Sequence, residues 1–308
     1  MATFGRLAMK RIVMLSVLVA CGALSVAVAG YQGQAPQAKL PDVTKVKDNL
    51  YIIEGASPVD RSMFTGGNTG IFITSTGVVV VDTKLAGYGP GILERIRTVT
   101  NKPVTTIINT HTHGDHTGSN EGFPATVDIV THANTKANME KMDAFKGEKA
   151  KFLPKRTYTD KLSLFSGNDR VDLYYFGAGH TNGDTMVVYT ALRVLQMGDL
   201  FAWKDAPFLD RASGGSGVEL PRTLAKALAG IKDVDTVIPG HHPVTTLADL
   251  QEYQRYTADL LTETQAAIKA GKSVDEATAA STVTAKFKGY RSDRLKAAIQ
   301  AIYDELKR

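Results

Sequence analysis

The sequence predicts an α/β fold with a helical C-terminal third. Three observations predict it. Short β-branched runs alternate with helix-periodic segments from about residue 50 onward. A hydrophobic content of 43% over 308 residues supplies a sizeable core. Residues 247–308 then carry helical periodicity without strand-like runs.

A polar, proline-containing link precedes the first strand and fills residues 30–49. The runs LYIIEG from Leu50, GIFITS from Gly70 and VVVVD from Val78 to Asp82 read as strands. GPGILERIRTVTN from Gly89 reads as a helix, because Ile92, Ile96 and Val99 recur at i, i+4 and i+7. VTTIINT is the next strand, followed by TVDIVT from Thr126 and a helix near ANTKANMEKM. Three further strands are expected in VDLYYFGAG, DTMVVYT and RVLQMGD, then a helix in LPRTLAKALAGI from Leu220 and a short strand in DTVIPG. From Leu247 to Gly271 one helix face is marked by Leu247, Leu250, Tyr253, Leu260, Leu261, Thr264 and Ile268, with Gly271 as its stop signal. Ser273 to Glu276 (SVDE) has the form of a capping box. A last helix presents Leu295, Ile299, Ile302 and Leu306, and these C-terminal stripes are read as packing faces.

The N-terminus has the pattern of a secretory leader. Arg6, Lys10 and Arg11 precede an uncharged run from Ile12 to Ala29 that ends in a small-x-small site. Cleavage after Ala29 is expected, giving a periplasmic or secreted protein with no stable membrane span. Removal of residues 1–29 lowers the chain's 36 basic residues by three, to 33 against 31 acidic, a formal charge of +2. So small a balance leaves no case for a nucleic-acid partner from bulk charge. The single cysteine, Cys21, lies inside this leader, where LVAC resembles a lipoprotein cleavage box and offers the alternative of a lipid-anchored form. Without Cys21 the mature protein has no thiol, and its chemistry must run on nitrogen and oxygen.

Three of the seven histidines and one carboxylate fall within HTHGDH, residues 111–116, directly after a strand-like run. Alternate residues of an extended segment project to one side, so His111 and His113 point at one spot. After a turn at Gly114, Asp115 and His116 point at a second. Two imidazoles and a further donor are a common zinc set. His180, Asp199 and His241 each end a strand-like run, which brings them to one sheet edge, where α/β folds place their sites.

In order, HTHGDH, GHTNGD, MGD and PGHH resemble the metal motifs of the metallo-β-lactamase superfamily, and VVVVD with Asp82 resembles its first, largely structural motif. The resemblance runs from about Leu50 to Val244. It implies a four-layer αβ/βα sandwich over residues 50–246, with the C-terminal helices packed on it. It also implies a dinuclear zinc site, with His111, His113 and His180 on one ion, Asp115, His116 and His241 on the other, and Asp199 bridging them. His242 and His132 match no ligand position. Under this reading a bridging hydroxide attacks the carbonyl of a small amide, lactone or (thio)ester, and Asp115 orients it or shuttles its proton. Lactamases of the family typically carry cysteine or serine where this chain has Asp199, which points towards the lactonase and thioesterase branches. The resemblance leaves iron open, as in a mononuclear sulfur dioxygenase on the same fold, as it does a non-catalytic binding protein. Trp203 and Phe208, in the loop FAWKDAPFLD, are candidate substrate contacts, and FTGGNTG from Phe64 is a second rim loop.

Overall fold

The hydrophobic runs assemble into two β-sheets packed face to face, with helices covering both outer faces. The computed structural model describes residues 38–60 and 62–307; the expected leader and Cys21 lie outside the described residues. Strands β1 (Val43–Lys47), β2 (Leu50–Ile53), β3 (Thr69–Ile73), β4 (Val78–Val81), β5 (Val104–Ile108), β6 (Asp128–His132) and β7 (Arg156–Tyr158) form one sheet in sequence order. The second sheet has the order β13 (Thr245–Thr246), β12 (Thr236–Ile238), β11 (Val194–Gln196), β10 (Met186–Tyr189), β9 (Val171–Tyr174) and β8 (Lys161–Leu164).

The packing explains why β4 is valine throughout. Val79 and Val81 point into the core between the sheets, with Ile108, Leu173 and Val187. Val78 and Val80 point the other way, against Ile92 and Ile96 of α1 (Gly89–Arg97). A strand covered on both faces needs an apolar side chain at every position. The outer face of the second sheet is covered by α4 (Leu220–Gly230), α5 (Leu247–Lys269) and α8 (Leu295–Leu306). Their buried Leu224, Tyr253, Leu260, Ile299 and Ile302 form one cluster with Val188, Leu195 and Val237. The result is the four-layer sandwich.

Strand direction positions the site. β5 runs parallel to β4 and β6, and β11 runs parallel to β12. β9 and β11 each pair antiparallel with β10 and so run the same way. The segments that leave β9, β11 and β12 therefore emerge at one edge of their sheet.

The N-terminal link and the last helix differ from the sequence reading. The stretch expected to be a link contains β1, whose VTKVK alternation is too polar to mark a strand but pairs antiparallel with β2. Leu306, expected on the packing face, is exposed at the last residue of α8. Among the described residues no helix is long and apolar enough to cross a membrane.

Candidate metal centre

The segment after β5 turns at Thr110 and enters a single helical turn, α2 (Gly114–Thr117), with His113 at its N-cap. Asp82 fixes that turn. It follows β4 in the left-handed backbone region (φ 62°), and its carboxylate accepts from Thr110 N at 2.8 Å and Thr110 Oγ1 at 2.7 Å. His111 and His113 thereby face one side while Asp115 and His116 face a neighbouring spot.

The structure brings all seven expected residues together in two groups. Donor atoms of His111, His113, His180 and Asp199 lie within 4.8 Å of one another, and so do those of Asp115, His116 and His241. Asp199 reaches towards both. Its Oδ2 is 3.9 Å from His180 Nε2, and its Oδ1 is 3.3 Å from His116 Nε2 and 3.2 Å from His241 Nε2.

Proton accounting shows what the imidazoles present to this space. The carbonyls of Phe208 and Ala56 can only accept, so His180 Nδ1 (2.7 Å) and His241 Nδ1 (3.0 Å) donate to them. The Asp210 carboxylate takes His113 Nε2–H at 2.8 Å, and Asp82 takes His116 Nδ1–H at 2.7 Å. Thr110 has already given its hydroxyl proton to Asp82, so it accepts from His111 Nδ1 at 3.1 Å. Each neutral ring then turns a bare nitrogen inward. These nitrogens approach to 3.0 Å (His180 Nε2 and His113 Nδ1) and 3.2 Å (His116 Nε2 and His241 Nε2). Lone pairs converging in this way repel unless a cation sits between them. His111 Nε2 and Asp199 Oδ1 are buried and make no hydrogen bond. Such orphaned lone pairs are costly unless a ligand satisfies them, so this all-nitrogen-and-oxygen set fits a divalent metal.

The electrostatics agree. Burial, with His113 beside it, pushes His180 down to about 4, and burial with His116 and His180 nearby holds His111 below its usual range. Both rings are therefore neutral at neutral pH, as a metal ligand must be. Burial opposes charge on His116 and His241 as well. It is outweighed at His116 by Asp115, Asp199 and Asp82, and at His241 by Asp199 and Asp115, so both are raised.

A cavity of about 570 Å³ opens onto the cluster, lined by His113, Asp115, Asp199, Met142, Phe208 and Arg294 among others. Phe208, 47% exposed, sits in its wall as expected. Trp203 does not line it. It is 5% exposed, stands edge-on to His241 at 5.7 Å, and is capped by Arg294 with its guanidinium 4.8 Å from the ring. The rim loop contributes Phe64, and Gly67 packs on the His116 ring. His132 stacks on Tyr175 at 4.0 Å and makes a 2.8 Å hydrogen bond with Thr159 O, away from the cluster. His242 Nδ1 lies 3.1 Å from the Pro243 carbonyl, and His242 belongs to neither donor group. Sequence reasoning missed Asp210 and Arg294. Asp210 stood within the flagged loop, whereas Arg294 lies in a tract read purely as packing.

The sequence model of the metallo-beta-lactamase superfamily matches residues 63–241, more than half of the 308-residue chain. The chain is 27% identical over 246 residues to the metallo-beta-lactamase type 2 of Elizabethkingia meningoseptica, covering 77% of this chain and 90% of that one. It is 31% identical over 131 residues to the 2,4-dinitroanisole O-demethylase subunit alpha of Nocardioides sp. (strain JS1661), covering 40% of this chain and 38% of that one. Among solved structures, the metallo-beta-lactamase from Pontibacter korlensis matches in fold with a TM-score of 0.61 and 21% identity, over 70% of this chain and 98% of that one.

Proposed function

The chain belongs to the metallo-beta-lactamase superfamily and is a metal-dependent hydrolase of it, and from that premise we propose an exported enzyme that holds two zinc ions and hydrolyses a small amide, lactone or (thio)ester. In this reading His111, His113 and His180 hold one ion, Asp115, His116 and His241 hold the other, and Asp199 joins them. The observation that carries it is the inward-facing bare nitrogen on all five imidazoles, each fixed from behind by its own acceptor. Bound zinc supplies a water acidified to near neutrality and Lewis-acid polarisation of a carbonyl.

The chain's own residues do the remaining work. Asp82 and Asp210 set the tautomers of His116 and His113, which leaves the correct nitrogen free. Asp115 lies in the cavity wall with Oδ2 3.2 Å from His241 Nε2, and His116 and His241 hold its carboxyl down at about 2 against the opposing effect of burial. It is therefore ionised at neutral pH and able to orient the nucleophile and take its proton. Phe208 and Met142 give the cavity wall an apolar side. Asp199 in place of a softer residue favours lactone, ester and thioester carbonyls over efficient lactam cleavage. The leader pattern at residues 1–29 is the basis for export.

Substituting Asp115 by Asn tests this reading. The variant is expected to keep its circular-dichroism spectrum and lose more than a hundredfold in rate against whichever of a β-lactam, a homoserine lactone, a thioester and an aryl sulfate the enzyme cleaves. Full activity in Asp115→Asn would refute the assigned role. Iron with oxygen uptake on a persulfide, instead of zinc with hydrolysis, would move the chain to the oxidoreductase reading.

A further inference from the structure

A second cavity, of about 200 Å³, lies beside the metal-facing one. Phe145, Phe152 and Thr117 line it, and Leu85, Gly114 and Met142 line both cavities. Met142 is held over this boundary by a 3.3 Å contact from Thr112 Oγ1 to its sulfur.

Gly114 is the informative residue. Its backbone is outside the left-handed region, so its conformation does not require glycine. A Cβ built on it would meet nothing within 4 Å, so packing does not require glycine either. Gly114 is exposed, lies between His113 and Asp115, and puts no side chain on the boundary that the two cavities share. Other glycines nearby do have structural reasons. A Cβ on Gly118 would come within 2.4 Å of Gly114 O, and one on Gly67 within 2.2 Å of the His116 ring.

From this adjacency we infer that the second cavity is a substrate subsite for an apolar arm attached next to the scissile carbonyl. It is somewhat larger than the roughly 150 Å³ apolar cavity that takes one benzene. It therefore fits a phenyl ring or an unbranched chain of about six carbons. The wall offers no buried cation or anion to recognise a charged group; the Glu121–Lys149 ion pair at 2.8 Å is already matched and lies at the exposed rim. The substrate class is thus an ester, lactone or amide bearing a medium-length aliphatic or aromatic substituent. The inference rests on the hydrolase reading above, since the metals anchor the carbonyl end.

The test is calorimetric binding of n-alkyl hydroxamates, from acetohydroxamate to decanohydroxamate, to the zinc-loaded full chain. Affinity is expected to rise about fourfold per methylene, the value of a buried methylene, and to level off beyond about six carbons. Ala144→Phe, which fills the cavity from its exposed rim, should bring the hexanohydroxamate-to-acetohydroxamate affinity ratio towards one. Phe152→Ala should move the plateau to longer chains, and it reads the same subsite should Ala144→Phe fail to fold. Equal affinity at every chain length, or an unchanged length profile in the folded variants, overturns the subsite alone. Failure of every hydroxamate to bind, acetohydroxamate included, overturns the metal centre and the subsite together.

Discussion

Asp82 and Lys84 are buried charged residues two positions apart, one serving the metal centre and one the loops around it. Asp82 holds His116 and Thr110 at once. An asparagine has one acceptor oxygen for these donors, and its amide would face a ring or amide hydrogen. Asp82→Asn should lower zinc affinity about 10- to 100-fold, the usual cost of losing such a partner, in competition against a chromophoric chelator, with the fold intact. Lys84 is fully buried, and its Nζ donates to the carbonyls of Ile53, Glu54 and Gly67 at 2.7–3.0 Å. Lys84→Met strands three acceptors and should cost roughly 3 kcal/mol or more of stability in urea unfolding. Burial also pulls this ammonium down to about 7, against the usual 10.5. The unfolded chain then binds more protons between those values, so this group makes the fold gain stability as the pH rises from about 7. Lys84→Met should remove that part of the slope. Four of the seven donors were legible in the sequence because clustered histidines have few other uses, and His180, Asp199 and His241 because each ends a strand-like run. Asp210 was not, since one aspartate in a loop looks like any turn aspartate. The carbonyls of Ala56 and Phe208 carry no side-chain signal at all.

At the scale of elements, the loops that leave the strands press glycines against the donors. A Cβ on Gly240, in the turn after β12, would lie 2.0 Å from Asp199 Oδ1. Its backbone is outside the left-handed region, so what opposes an alanine is space: the carboxylate first, and the Gly198 backbone at 2.9 Å behind it. Gly240→Ala should displace Asp199 and reduce zinc bound per chain, with circular dichroism unchanged; full zinc loading would show that Asp199 has room to move. The strands of the central core were readable because continuous Val and Ile runs have one reading when both faces are covered. β8, with its Lys161–Leu164 polar alternation at a sheet edge, and the two-residue β13 were not readable, because pairing partners distant in sequence define them. The capping boxes at Thr246–Asp249 and Ser273–Glu276 start their helices through local hydrogen bonds, and the second was legible for that reason.

At the scale of the whole molecule, the C-terminal helices complete the second sheet's outer core and reach the site. Glu305 of α8 accepts from Ser216 Oγ and Gly217 N, and Arg294 lines the metal-facing cavity over Trp203 and Phe208. Sequence periodicity revealed the packing face but not this reach, which depends on how the helix tract crosses the sheet. A chain cut after Thr246 would expose the surface that Tyr253, Tyr256, Leu260, Ile299 and Ile302 cover, and it should be insoluble or unable to hold zinc. The most direct test is a zinc titration of the chelator-stripped full chain by calorimetry, beside His241→Ala. Two ions per wild-type chain and one per His241→Ala chain are expected. A wild-type chain that takes one ion or none, or a His241→Ala chain that still takes two, would contradict a shared pocket built from both halves of the sequence.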